Sequence, residues 1–135
     1  MKHIGIWIDK EKAHIISVKE NSEDMTTILS EIENFNVHGG SGTQFKGGPQ
    51  DVVQDSKYLE RQKHQFKAYV KKIIPFIKDT DKIVIYGPAE TPERFNKELT
   101  QNYKDISKNV KDVLKADSMT DNQTKALIRS YFKKS

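Results

Sequence analysis

The chain has 135 residues, a length at which a single domain with a real hydrophobic core is expected. Hydrophobic residues make up 35% and charged residues 31%, with a net charge of +4, a balance that permits nucleic-acid binding without requiring it. The absence of cysteine excludes disulfides and thiolate metal sites, and no apolar run approaches the roughly 20 residues of a membrane span.

The opening run, Met1 to Lys10, is interrupted by an acid and lysines too early to be a signal-peptide core. A cytoplasmic protein with no membrane partner is the expectation. Ile4 to Ile8, with Gly5 and Trp7 between the isoleucines, reads as a strand. Asp9-Lys10-Glu11-Lys12 reads as a polar turn and Ala13 to Val18 as the second strand of a hairpin. This register sets His14 opposite Trp7, a cross-strand packing pair. Met25 to Val37 reads as a third, irregular strand region, with Ile28, Leu29, Ile32 and Phe35 apolar.

Segment 36–51 then concentrates Gly39, Gly40, Gly42, Gly47 and Gly48, leaving only Gly5 and Gly87 elsewhere. So long a stretch without periodicity is expected to be disordered or functional. Residues 38–50 are expected to form a flexible loop on a single domain spanning 1–135. Asp51 to Gln54 has the spacing of a capping box, which predicts a helix from there to about residue 78. At 100° per residue, Leu59, Gln62, Phe66, Val70, Ile73 and Ile77 share one face, and Lys57, Arg61, His64, Lys71 and Lys72 the other. Pro75 predicts a kink or an early end near Ile74.

Lys82 to Tyr86 is the continuous apolar run of a buried central strand, broken by Gly87-Pro88. Thr91-Pro92 predicts an N-cap followed by proline at the first helical position, with Phe95, Leu99 and Tyr103 inward. Val110 to Ala116 reads as a strand. Thr120 to Gln123 is a second capping box, heading a helix that buries Leu127, Ile128, Tyr131 and Phe132. The order is βββαβαβα. The alternation in its second half implies parallel strands with right-handed crossovers.

This is the element order of an RNase H-like sheet, whose nucleases need clustered carboxylates for divalent metals. Asp9 and Glu60 are candidates, but Ile83 to Pro88 carries no acid and Asp9 suits a hairpin turn, so no metal nuclease is expected. His3, His14, His38 and His64 lack metal-ligand spacing, and Gly47-Gly48-Pro49-Gln50 lacks the lysine of a Walker loop. The strongest chemical signal is charge polarity. Lys57, Arg61, Lys63, Lys67, Lys71, Lys72 and Lys78 crowd the long helix, whereas Glu20, Glu23, Asp24, Glu31 and Glu33 crowd segment 19–33. A basic helix face of this kind can track RNA phosphates.

Three stretches carry a family resemblance: Ile6-Trp7-Ile8-Asp9 with Ala13-His14, Ile85-Tyr86-Gly87-Pro88-Ala89, and Ala116 to Gln123. Over nearly its whole length the chain resembles the middle domain of the archaeal and eukaryotic class I peptide release factor and Pelota superfamily. It resembles most the small stand-alone bacterial proteins described as translational machinery components. The resemblance implies an RNase H-like α/β fold with a mixed five-stranded sheet and three helices. It also implies a Gly-Gly-Gln loop before the basic helix, whose glutamine places the water that hydrolyses peptidyl-tRNA.

His64-Gln65-Phe66 matches the family's His-x-aromatic feature, and the family spacing back from it reaches Gln50, with Gly47 and Gly48 as the glycine pair. Pro49 intervenes and deletes a backbone N–H. Gly39-Gly40-Ser41-Gly42-Thr43-Gln44 is the competing loop, with Gln44 as its glutamine. RNA contacts are expected from Lys46, Lys57, Arg61, His64, Lys67, Lys71 and Lys72. The expected function is ribosome or tRNA binding, with peptidyl-tRNA hydrolysis in release or rescue and no cofactor. The alternative is a non-catalytic RNA-binding or adaptor module on the same fold.

Overall fold

The computed structural model describes residues 2–20, 22–31 and 48–134, with side chains in the long helix described from Glu60 onward. The elements run β1 (His3–Ile8), β2 (Lys12–Val18), β3 (Glu23–Leu29), α1 (Gly48–Ile77), β4 (Lys82–Gly87), α2 (Thr91–Asn102), α3 (Lys104–Ser107), β5 (Val110–Lys115) and α4 (Asp121–Lys134). The five strands form one mixed sheet in the order β3-β2-β1-β4-β5. β1 pairs antiparallel with β2 and parallel with β4; β2 pairs antiparallel with β3, and β4 parallel with β5. Trp7 stands opposite His14, as the hairpin register predicts.

Strand alternation divides the core in two. Ile4, Ile6, Ile8, Ala13, Ile15, Ile83 and Ile85 face α1 and α2, which contribute Phe66, Tyr69, Val70, Ile73, Ile77, Phe95 and Leu99. Trp7, Ile16, Val84 and Tyr86 face the other way and meet Ile128 and Phe132 of α4. The period of two along each strand makes this sorting automatic, and each fully buried aliphatic or phenyl side chain contributes roughly 1.5–3 kcal/mol. Val110 and Val113 both reach the α1 side despite their odd separation, because the β4–β5 register shifts between Ile83 and Val84.

Several boundaries differ from the sequence expectation. α1 begins at Gly48, so Asp51 lies inside the first turn and is not the N-cap. Pro49 is tolerated there because first-turn N–H groups have no helical partner. α1 also runs through Pro75 to Ile77, and Lys78 N–H donates to the Ile74 carbonyl at 3.0 Å. Full burial of Ile73 and Ile77 on either side of Pro75 holds the last turn against the sheet and offsets the lost bond.

The cap of α2 is Glu90, in the αR region and without a side-chain capping bond, rather than Thr91. The chain enters through Ala89 at φ 52°, and Lys115 Nζ donates to the Ala89 carbonyl. Thr91 is thereby drawn into the helix and buried. α3 is an added single turn: Tyr103, at φ −139° and ψ 60°, breaks the helix, and its carbonyl accepts the N–H groups of Ile106 and Ser107. β3 ends at Leu29, and residues 32–37 of the expected third strand lie outside the described residues. The capping box at α4 is as expected. Thr120 N–H donates to Gln123 Oε1 at 3.0 Å, and Gln123 N–H donates to Thr120 Oγ1 at 3.1 Å.

Two glycines mark close approaches. A Cβ at Gly5 would lie 2.3 Å from Ile128 Cδ1, so its absence lets α4 press onto β1. A Cβ at Gly87 would lie 2.1 Å from the Ile8 carbonyl oxygen, a backbone atom fixed in the sheet. Gly87→Ala is therefore expected to destabilise the fold by about 1–3 kcal/mol. Urea unfolding should show a lower midpoint with an unchanged slope; an unchanged midpoint would mean that β1 and β4 are not packed this closely.

Candidate nucleic-acid interface

α1 is held by its inner face and by polar contacts to the sheet. Tyr69 is fully buried, and its hydroxyl donates to the Asp9 carbonyl at 3.1 Å. Burial, followed by the Asp9 charge, raises the Tyr69 pKa, so the phenol stays protonated as a donor. The Asp9 carboxylate is itself committed to the turn, its Oδ1 accepting the N–H groups of Glu11 and Lys12, both at 2.8 Å. This is the hairpin-turn role expected for Asp9. Among the described residues no three His, Asp or Glu side chains converge to hold a metal.

The outer side of α1 carries Arg61, His64, Lys67 and Lys71, all exposed. Lys72 shares the Arg61 side of the helix and is engaged with the sheet. It lies about 140° around the helix from Lys67 and faces the end of β3. There its ammonium donates to the Leu29 carbonyl at 2.7 Å and sits 3.6 Å from the Glu31 carboxylate. Lys72 thus braces α1 to the sheet. Lys57 lies on α1, with its side chain outside the described residues.

On the opposite flank, Lys63, His64 and Lys67 form one wall of a groove of about 310 Å³. Arg94 and Lys97 of α2 form the other wall, and Glu60, Glu98 and Gln101 also line it. Lys63, Lys67, Arg94 and Lys97 outweigh Glu60 and Glu98, so the groove is positive. Glu98 is partly occupied, accepting the Asn102 side-chain N–H at 2.7 Å. The floor is Phe66, 6% exposed, and the Arg94 guanidinium carbon lies 4.4 Å from its ring centroid. This cation–π contact contributes about 0.5–1 kcal/mol and restricts the Arg94 side chain.

Arg94 and Lys97 were not legible as site residues. They read as ordinary exposed positions beside the inward Phe95 and Leu99, and only the packing of α2 beside α1 brings them to the basic wall. A larger, shallower hollow of about 680 Å³ lies beside the ends of β4 and β5, lined by Tyr86, Lys115, Asp117, Met119, Gln123 and Leu127 among others. Two of its polar side chains are engaged. Gln123 caps α4, and Lys115 is held by the Ala89 carbonyl and by Glu93 at 3.8 Å. It gathers no excess of one charge, so the smaller groove is the better candidate.

The other perturbed groups are structural. His14 is 7% exposed, with Nδ1 2.9 Å from Thr27 Oγ1 and its ring 5.8 Å from Trp7; burial lowers its pKa, outweighing the opposing Asp121 charge. Burial and the hydrogen bond to Asp112 push Tyr131 up to about 12. Of the loop residues, Gly39, Gly40, Gln44, Lys46 and Gly47 lie outside the described residues. Gly48 and Gln50 belong to the first turn of α1, with the Gln50 side chain likewise outside.

No protein-family model and no curated protein matches the chain. Solved structures do. Pelota from Archaeoglobus fulgidus aligns over 98% of this chain and 31% of its own, at TM-score 0.56 and 11% identity. Pelota from Thermoplasma acidophilum aligns over 100% and 32%, at 0.56 and 17% identity. The archaeal translation termination factor aRF1 aligns over 98% and 39%, at 0.55 and 9% identity. The chain spans about a third of the length of the solved structures it matches. At these identities the likeness establishes the fold: an RNase H-like α/β arrangement with a mixed five-stranded sheet, as in part of Pelota and aRF1. Among the described residues no helix is long and apolar enough to cross a membrane.

The contrast between Lys72 and the groove lysines is testable. Lys72→Met should lower stability by about 1 kcal/mol or less, because the lost bonds are partly solvent-exposed, and leave affinity for RNA unchanged. Thermal unfolding and a filter-binding titration would check this; a large loss of RNA affinity would return Lys72 to the interface.

Proposed function

We propose that this protein is a translation-associated RNA-binding domain that docks on the ribosome or tRNA through the outer side of α1. The segment 38–50 acts as the working tip. The observation that carries this reading is that Lys63, His64 and Lys67 of α1, the helix that follows the glycine-rich segment, line one groove with Arg94 and Lys97 of α2. The fold shared with a translation termination factor supports it. We propose that the protein is a cytoplasmic relative of the release factor and Pelota superfamily.

The most concrete mechanism is hydrolysis of peptidyl-tRNA during release or rescue of stalled ribosomes. A side-chain amide positions water and stabilises developing oxyanion charge without a titrating base or a cofactor. Gln50, with Gly47 and Gly48, and Gln44, with Gly39 and Gly40, compete for that role. Pro49 is accommodated in the first turn of α1, where the N–H it lacks would have no helical partner.

Stalled-ribosome complexes carrying labelled peptidyl-tRNA provide the test. Wild type should release peptide, and either Gln44→Ala or Gln50→Ala should slow release by about 100-fold or more while still sedimenting with ribosomes. Sedimentation without release by wild type would leave an RNA-binding module without the chemistry. Failure to sediment at low salt would contradict both forms of the proposal.

A further inference from the structure

The groove between α1 and α2 has a composition that points to a specific class of ligand. Lys63 and Lys67 stand one turn apart, about 6 Å along α1. Lys97 faces them from α2, and Arg94 covers the buried Phe66 ring. We infer that this groove holds a segment of single-stranded or looped RNA, its phosphates between Lys63, Lys67 and Lys97 and one unstacked base on the Arg94 guanidinium. The inference rests on the RNA-docking reading above and adds the strand type and residues outside the basic helix.

The chemistry favours this ligand over other polyanions. Phe66 holds the Arg94 guanidinium carbon 4.4 Å from its ring centroid, and Arg94 is exposed, so the planar cation is within reach of a base. A carboxylate ligand would use the guanidinium edge instead. A concave channel between two helices admits a strand more readily than a flat lipid surface. Glu60 and Glu98 inside it repel a dense sheet of anionic headgroups while leaving room for phosphates spaced along a chain. In duplex RNA the bases are stacked and paired, so the Arg94 platform has nothing to engage.

Fluorescence anisotropy with defined probes tests this: a short single-stranded RNA, the same strand with abasic positions, a blunt RNA duplex, and polyglutamate. Removing the ammonium groups in Lys63→Ala/Lys67→Ala/Lys97→Ala should weaken binding of the single strand and reduce its salt slope by about 2. Arg94→Lys keeps the charge but loses the plane. It should weaken the intact strand by about 5-fold or more and leave the abasic strand unchanged. Glu60→Gln, which removes a carboxylate from the groove, should tighten the single strand.

Equal effects of Arg94→Lys on both strands, an unchanged salt slope in the triple variant, or polyglutamate binding as tight as RNA would overturn the inference. Ribosome sedimentation separates the two levels. A triple variant that binds ribosomes as wild type does overturns the groove's part in docking and leaves the translation reading to the other cations on the outer side of α1. The expected oligonucleotide pattern in a protein that never sediments with ribosomes removes that reading and leaves the groove.

Discussion

The Tyr69 hydroxyl crosses from α1 to the Asp9 carbonyl at the β1–β2 turn, and around it Phe66, Val70, Ile73 and Ile77 are buried against the sheet. This single docking fixes the rotation of α1 about its own axis. With one face of α1 held, the lysines at the remaining positions have no choice but to point outward. Lys72 falls on the β3 flank and is absorbed by Leu29 and Glu31; Lys63 and Lys67 fall on the α2 flank and meet Arg94 and Lys97. The different surroundings of these lysines are thus a consequence of the packing of α1 on the sheet, not of lysine content.

The central strands make the docking possible. β1 lies between an antiparallel and a parallel neighbour, and its isoleucines at positions 4, 6 and 8 all face α1 and α2. Its other face holds Gly5 beneath Ile128 and Trp7 beside His14. The Trp7 indole N–H donates to the Ala116 carbonyl at 3.1 Å, linking the hairpin to the segment after β5. Arg129 adds a 2.8 Å ion pair with Glu23, joining α4 to the edge strand. Both layers are therefore referenced to the same strand.

Much of this fold was legible in the sequence because it comes from periodicity and local chemistry. The alternation in Ile4–Ile8, the apolar run of Ile83–Tyr86 and the reciprocal cap at Thr120–Gln123 each have a short-range cause, and the structure has each of them. The Trp7–His14 pairing comes from the hairpin register alone. Structure and local signal part at both ends of α1. Asp51 has the spacing of a cap, yet α1 starts three residues earlier; Pro75 signals a break, yet burial of Ile73 and Ile77 carries the helix past it. For the candidate site, the α1 cations were readable from composition. The opposing wall was not, because nothing near Arg94 or Lys97 in the chain announces that α2 will lie beside α1.

If the α1–α2 side is the surface that meets RNA, its lysines must lose solvent access on ribosome binding while others keep it. Lysine-acetylation footprinting of the full chain, with and without ribosomes, measures this directly. Protection is expected at Lys63, Lys67 and Lys97, with Lys19, Lys72 and Lys125 unchanged. Protection centred instead on Lys19 and Lys125, near β3 and α4, would place the interface on the opposite layer and contradict the assignment.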